Sequence, residues 1–327
     1  MSLVADALQP YIVRELASLA GRARVTALTD IIVAESSAYD LIFEDTDQSI
    51  TMDFRETGPL VSALAGDCCR FSFASFQTIS TVEAEIMKRD TVAWSLIKVY
   101  YAAFYAGHAL IRIFGESCSF FDRQHTTRLI QLGDALGHQW SFNIDAGLYR
   151  CALTQNSTAI RCIKTRGAAG VHEAFWTVFG THIQRLSEAT LTGGLVPEDA
   201  QAVFGQLNSL VEIMRRRTGF SWLSGVRNDL QYRQSNGVWF PASLRQNERQ
   251  SLSRLIADWQ RDPMDIDLDM RRLGLLGDFV TACVFIVALC HTMLSRIAER
   301  STVGPRSFVF LGPMTFVNDI GARAVAS

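Results

Sequence analysis

Arg227 and Tyr232 bracket a short polar segment, Arg227-Asn228-Asp229-Leu230-Gln231-Tyr232, that sets a guanidinium and a phenol five positions apart. A guanidinium presents a planar fork of donors suited to phosphate oxygens. A phenol can hydrogen-bond a phosphate or stack on a base. An ion pair from Arg227 to Asp229, with a half-buried Tyr232, would account for the same residues without any ligand. Just upstream, Arg215, Arg216 and Arg217 precede the Thr218-Gly219 break, and Arg233 follows the segment. These four form a compact positive cluster that could bring nucleic-acid phosphates to Arg227, or serve only as a solvated helix end. The imidazole best placed to titrate is His125, in Arg123-Gln124-His125-Thr126, near an expected helix start among polar neighbours. His108 lies among small and aromatic residues and reads as a core histidine, while His172 and His182 read as helix-surface or core residues.

Much other chemistry is excluded by pattern. The chain contains no Gly-x-Gly-x-x-Gly, Gly-Lys-Ser/Thr, His-Glu-x-x-His or Gly-x-Ser-x-Gly, so it offers no nucleotide cradle, zinc-protease helix or nucleophile elbow. The acidic run Asp262-Pro263-Met264-Asp265-Ile266-Asp267-Leu268-Asp269 lacks the glycine and terminal glutamate of a calcium loop, and its alternation fits a solvated edge with one buried face. No metal site and no cofactor is expected. Thirty-one Lys and Arg against 33 Asp and Glu leave a net charge of −2, which argues against a generally basic nucleic-acid binder and requires any nucleic acid to be held by a local patch. Seven cysteines, odd in number and without a Cys-x-x-Cys pair, suggest reduced thiols and a cytoplasmic protein. No secretory signal is expected at the N-terminus. The apolar stretch Phe279–Leu294 is shorter than the roughly 20 residues a bilayer requires, so a buried helix is expected there and no membrane association.

The elements that must position these residues are predominantly helical. Residues 1–79 read as an N-terminal segment of mixed or irregular structure, with a helical stripe over 3–20 and strand-like pieces in ALTDIIVA, SITMDF and RFSFASF. Ser80-Thr81-Val82-Glu83 has capping-box spacing and predicts the start of a long helix that Gly115 ends. Its Ala102, Ala103, Ala106, Gly107 and Ala109 form a small-residue face that admits a close neighbour. Further helices are predicted over 122–136, 171–186, 197–214, 220–231, 252–259 and 273–297, with 138–166 less clear and 304–327 a tail along the surface.

Two segments carry a resemblance. Tyr100-Tyr101-Ala102-Ala103-Phe104-Tyr105-Ala106-Gly107-His108-Ala109-Leu110 resembles the YYAxFxAxxAL helix of HEPN domains, the all-helical modules found with nucleotidyltransferases and in prokaryotic toxin–antitoxin and antiphage systems. Arg227 to Tyr232 stands where that family carries Arg-x(4–6)-His, with Asn228 at the polar position after the arginine. The resemblance implies a mainly α, HEPN-like helical bundle over residues 80–303, with an insertion around 138–218. It also implies a homodimer, and either RNA or a cognate toxin, antitoxin, nucleotidyltransferase or defence protein as partner. In active members an arginine and a histidine cleave RNA without metal. Here Tyr232 replaces the histidine, and no histidine lies between His182 and His291. A phenol titrates near pH 10 and is a poor base at neutrality. The catalytic expectation therefore rests on Arg227, Asn228 and Tyr232, with His125 as the substitute imidazole. A metal-independent endoribonuclease stands beside a non-catalytic module that docks a partner.

Overall fold

The computed structural model describes residues 2–22, 27–34, 39–154, 157–167, 170–242, 244–268 and 274–326. Its architecture corrects the expectation of a mainly α bundle, because an antiparallel five-stranded sheet is built into the helical body and makes the fold α+β. The strands are β1 (Tyr39–Glu44), β2 (Ser49–Phe54), β3 (Glu116–Phe121), β4 (Gly147–Leu153) and β5 (Ala159–Lys164), in the order β1-β2-β5-β4-β3. Three of them come from outside the N-terminal segment: β3 follows Gly115 where a loop was expected, and β4 and β5 occupy the region of weak periodicity. Only SITMDF forms the expected strand, as β2. ALTDIIVA contributes a short helix and RFSFASF lies within a long one.

The helices are α1 (Leu3–Leu8), α2 (Asp30–Val33), α3 (Gly58–Ile79), α4 (Val82–Ile86), α5 (Val92–Ile113), α6 (Arg123–Ala135), α7 (Val171–Thr190), α8 (Pro197–Met214), α9 (Trp222–Gln231), α10 (Gln246–Ala257), α11 (Gly274–Glu299) and α12 (Pro313–Ala326). The capping box predicted at Ser80 does not form. Helix α3 runs up to Ile79, and the Ser80 hydroxyl donates back to the carbonyl of Gln77, so the long helix begins at Val92 instead. At Asp122 the local signal holds: its carboxylate accepts the amides of Gln124 and His125 and starts α6.

Two apolar cores flank the sheet. One face, through Leu41, Met52, Tyr149 and Ile160, packs with α2, α6 and the first turns of α3. The larger core gathers α3, α5, α7, α8, α9 and α11. Because α3 packs along α5, the two cores do not part at residue 80. The small-residue face of α5 is fully used: a Cβ on Gly107 would stand 2.9 Å from Phe175 Cζ, so α7 crosses α5 at a distance that glycine permits. Helix α11 is long and apolar enough to cross a bilayer, yet it is buried against α3, α5 and α10 from Gly277 to Cys290. Helix α12 closes against α3.

A charged linkage fixes α7 to the sheet. Glu116 of β3 accepts from Arg150 of β4 and from Arg185 of α7, and its carboxylate lies 3.2 Å from His182 Nδ1. Burial works to raise the Glu116 carboxyl, but hydrogen bonds from His182 and Arg150 hold it well below the ordinary carboxylate range. The sheet thereby sets where α7 lies over α5. It also sets where His172, on the first turn of α7, points.

Candidate functional site

The two segments singled out by their sequence, more than 100 residues apart, meet in space. Helix α9 packs on α5 and lays Arg227 against the Tyr100-Tyr101 pair. The apolar side of α9, with Trp222, Leu223, Val226 and Leu230 buried, turns Arg227 inward with it. Arg227 is only 5% exposed. Its guanidinium carbon stands 5.2 Å from the Tyr100 ring centre, 6.0 Å from Tyr101 and 5.7 Å from Tyr232.

The hydrogen bonding of this guanidinium is incomplete. Nη1 donates to Gln231 Oε1 at 3.3 Å and to the Tyr232 hydroxyl at 3.4 Å, both long, while Nε is buried with no partner. Among the described residues no carboxylate pairs with Arg227. Asp229, the partner that a purely structural arginine would use, is taken by Arg217 and Arg233. A buried charge without a counter-ion is costly, and three aromatic faces offset part of that cost through cation–π attraction. What remains is a positive charge whose Nε has no hydrogen-bond partner and which no carboxylate among the described residues balances.

His172 joins this cluster, although nothing in its local pattern pointed there. Its Nδ1 lies 3.0 Å from the Tyr100 hydroxyl, and that hydroxyl accepts from Trp176 Nε1 at 2.9 Å. Its ring packs 4.4 Å from Phe104 and 5.8 Å from Tyr101, centre to centre. Burial, reinforced by the Arg227 charge, lowers the His172 imidazole to about 4 and leaves it neutral at pH 7. Burial also raises the Tyr100 phenol, so it keeps its proton.

The other candidates lie apart from this centre or already have partners. Asn228 is exposed on α9, and Tyr232 ends the helix 70% exposed, with its hydroxyl on Arg227. His125 belongs to the sheet side: Nδ1 lies 2.6 Å from Asp122 and its ring packs on Phe121, so it does not stand in for the motif histidine. His108 is a core residue stacked 3.9 Å from Phe175, and burial holds it neutral. The arginine cluster is largely compensated. Arg215 pairs with Glu212, Arg216 with Asp278, and Arg217 and Arg233 share Asp229. Asp262 caps a short turn through the amide of Met264, and Ile266 and Leu268 are buried as the alternation implied, while Asp269 lies outside the described residues.

Aromatic rings are also exposed at the start of α5 and beyond the end of α9: Trp94 of α5 (53% exposed) meets Trp239 edge-on at 5.6 Å, and Phe240 is 69% exposed with Arg89 over its ring. Trp239 is tied to the end of α9 by its indole N–H, which donates to the Leu230 carbonyl at 2.8 Å.

The histidines also set an acid sensitivity. His172, His108 and His291 are all held below the ordinary imidazole value, chiefly by burial. Their unfolded counterparts take up protons first as pH falls below about 6.5, so stability falls from there toward pH 4. The melting temperature is expected to be lower at pH 5 than at pH 7.5, with a smaller difference in His172→Gln. An unchanged pH difference in that variant would contradict the burial of His172 beside Arg227.

No family model, curated protein or solved structure matches this chain.

Proposed function

We propose that the protein is a cytoplasmic, dimeric, HEPN-like component of a prokaryotic stress or antiphage defence system that binds RNA through the Arg227 face. On this reading α5 and α9 form a HEPN-type helix pair set within an α+β chain. One observation carries the proposal: Arg227 is buried against three tyrosines with an unpartnered Nε and no carboxylate beside it. A phosphodiester supplies the missing counter-ion and accepts from the unused donors. Tyr232, beside the Arg227 guanidinium, and the exposed rings of Trp94 and Phe240 offer stacking faces for bases of a single strand. A net charge of −2 makes this a local contact rather than a general affinity for polyanions.

Binding is favoured over cleavage. Tyr232 stands in place of the motif histidine, and His172 has its Nδ1 engaged by Tyr100. Purified protein incubated with total RNA in EDTA at low salt should retain RNA without creating new 5′ ends, and Arg227→Ala should lose retention. No retention by the wild type would remove the RNA reading, and new 5′ ends that depend on Arg227 would make the protein a ribonuclease.

A second reading, a non-catalytic module docking a cognate protein, is favoured by the exposed aromatic rings of Trp94 and Phe240. It requires one stoichiometric partner in a pull-down from the native host, lost on Trp94→Ala with Arg227 intact.

A further inference from the structure

We propose that His172, carried by α7, is the second anion donor of the Arg227 site, and that Tyr100 and Trp176 fix it in the tautomer that presents Nε2–H to a bound phosphate. The inference rests on the RNA reading above and identifies a binding residue for it outside the Arg227–Tyr232 segment.

The donors and acceptors of the cluster place its protons. The indole Nε1 of Trp176 is only a donor, so at 2.9 Å from the Tyr100 oxygen it must donate there. The Tyr100 proton is retained because burial raises the phenol, and it is directed away from the indole. The nearest acceptor is His172 Nδ1 at 3.0 Å. Since His172 is neutral, and Nδ1 accepts, its one proton sits on Nε2. Among the described residues no hydrogen bond reaches that Nε2.

Position supports the same assignment. His172 and Arg227 both lie against Tyr100 and Tyr101, with Arg227 Cζ at 5.2 and 6.0 Å and the His172 ring centre at 5.7 and 5.8 Å. They are close enough for the Arg227 charge to act on the imidazole. His172 is half-buried at the mouth of the cluster, whereas Trp176, one turn further along α7, is fully buried. The linkage from Glu116 to His182 and Arg185 holds α7 in this placement. Lying against the same two tyrosine rings, the Arg227 guanidinium and the His172 Nε2–H would together donate to one bound anion.

A fluorescein-labelled oligoribonucleotide of ten uridines, titrated at low salt, tests this. His172→Ala is expected to weaken binding about tenfold, and His172→Gln, which restores an N–H near the same position, to stay within about threefold of wild type. Tyr100→Phe removes the positioning hydroxyl; imidazole nitrogen shifts in wild type should report a protonated Nε2 and a bare Nδ1, and this preference should be lost in Tyr100→Phe. If Arg227→Met loses binding while His172→Ala binds as wild type does, His172 is not part of the site and the RNA reading alone survives. An Nδ1–H tautomer in the wild type overturns the proposed relay. Failure of the wild type to bind the oligonucleotide overturns both.

Discussion

Arg227→Met is expected to weaken RNA binding on the order of ten- to a hundredfold while leaving the melting temperature equal to or above that of the wild type. The two halves of this result have one cause. A charge-assisted hydrogen bond to phosphate contributes about 1.5–3 kcal/mol, and the Arg227 guanidinium makes only long hydrogen bonds from Nη1, with Nε buried without a partner. In the free protein the same group is a liability, since an unsatisfied buried polar atom costs roughly 1–3 kcal/mol. Methionine fills the stem volume and keeps favourable sulfur contacts with the surrounding rings. Loss of function coupled to unchanged or increased stability marks a residue kept for a ligand. Arg227→Lys should recover little, because an ammonium lacks the planar fork. Glutamine at Arg215 or Arg217 should change affinity by no more than about threefold, as each already faces a carboxylate. A fall in melting temperature with unchanged affinity would show that Arg227 is structural.

Asp67→Ala should be among the most destabilising single substitutions in the chain. Asp67 on α3 and Arg112 on α5 form an ion pair with both side chains 3% exposed, at 2.9 Å. Arg112 also donates to the His108 carbonyl at 2.8 Å and stands 4.6 Å from the Phe71 ring centre. Removing the carboxylate strands a guanidinium in the largest core, at a cost of about 3–5 kcal/mol. For a chain of this size that lowers the melting temperature by roughly 4–7 °C. Arg112→Met should cost less, because Asp67 keeps Arg70 as a partner. The double variant Asp67→Leu/Arg112→Met, which removes both charges, should recover most of the loss. Equal losses for both single variants, with no recovery in the double, would contradict the pair's role.

The contrast between these two arginines explains what could be read from the sequence. Helical periodicity is local, so the Tyr100–Leu110 face, the Pro197–Met214 helix and the Arg227–Tyr232 segment were all legible, and the first and last of these do meet. The sheet was not legible because its pairing is remote. Only β2, whose Ser-Ile-Thr-Met-Asp-Phe alternates, was readable; Glu116 faces Ala152, and β3 is buried on both sides over Glu116–Ser119, so it lacks the alternation that marks a strand. The capping pattern at Ser80 was misleading because packing carries α3 up to that residue from the other direction. Charge counting overvalued Arg216, whose partner Asp278 lies 62 positions away. It undervalued His172, whose role comes from a tyrosine 72 positions earlier. Only the crossing of α7 over α5, allowed by Gly107, brings these two together.

Photo-crosslinking of single-stranded RNA containing 4-thiouridine, followed by mapping of the modified peptides, would show whether RNA lies against Arg227. Adducts are expected on the peptides carrying Tyr101, Tyr232 and Trp94, lost in Arg227→Met. Adducts confined to the sheet side around His125, or a pattern unaffected by Arg227→Met, would contradict that placement.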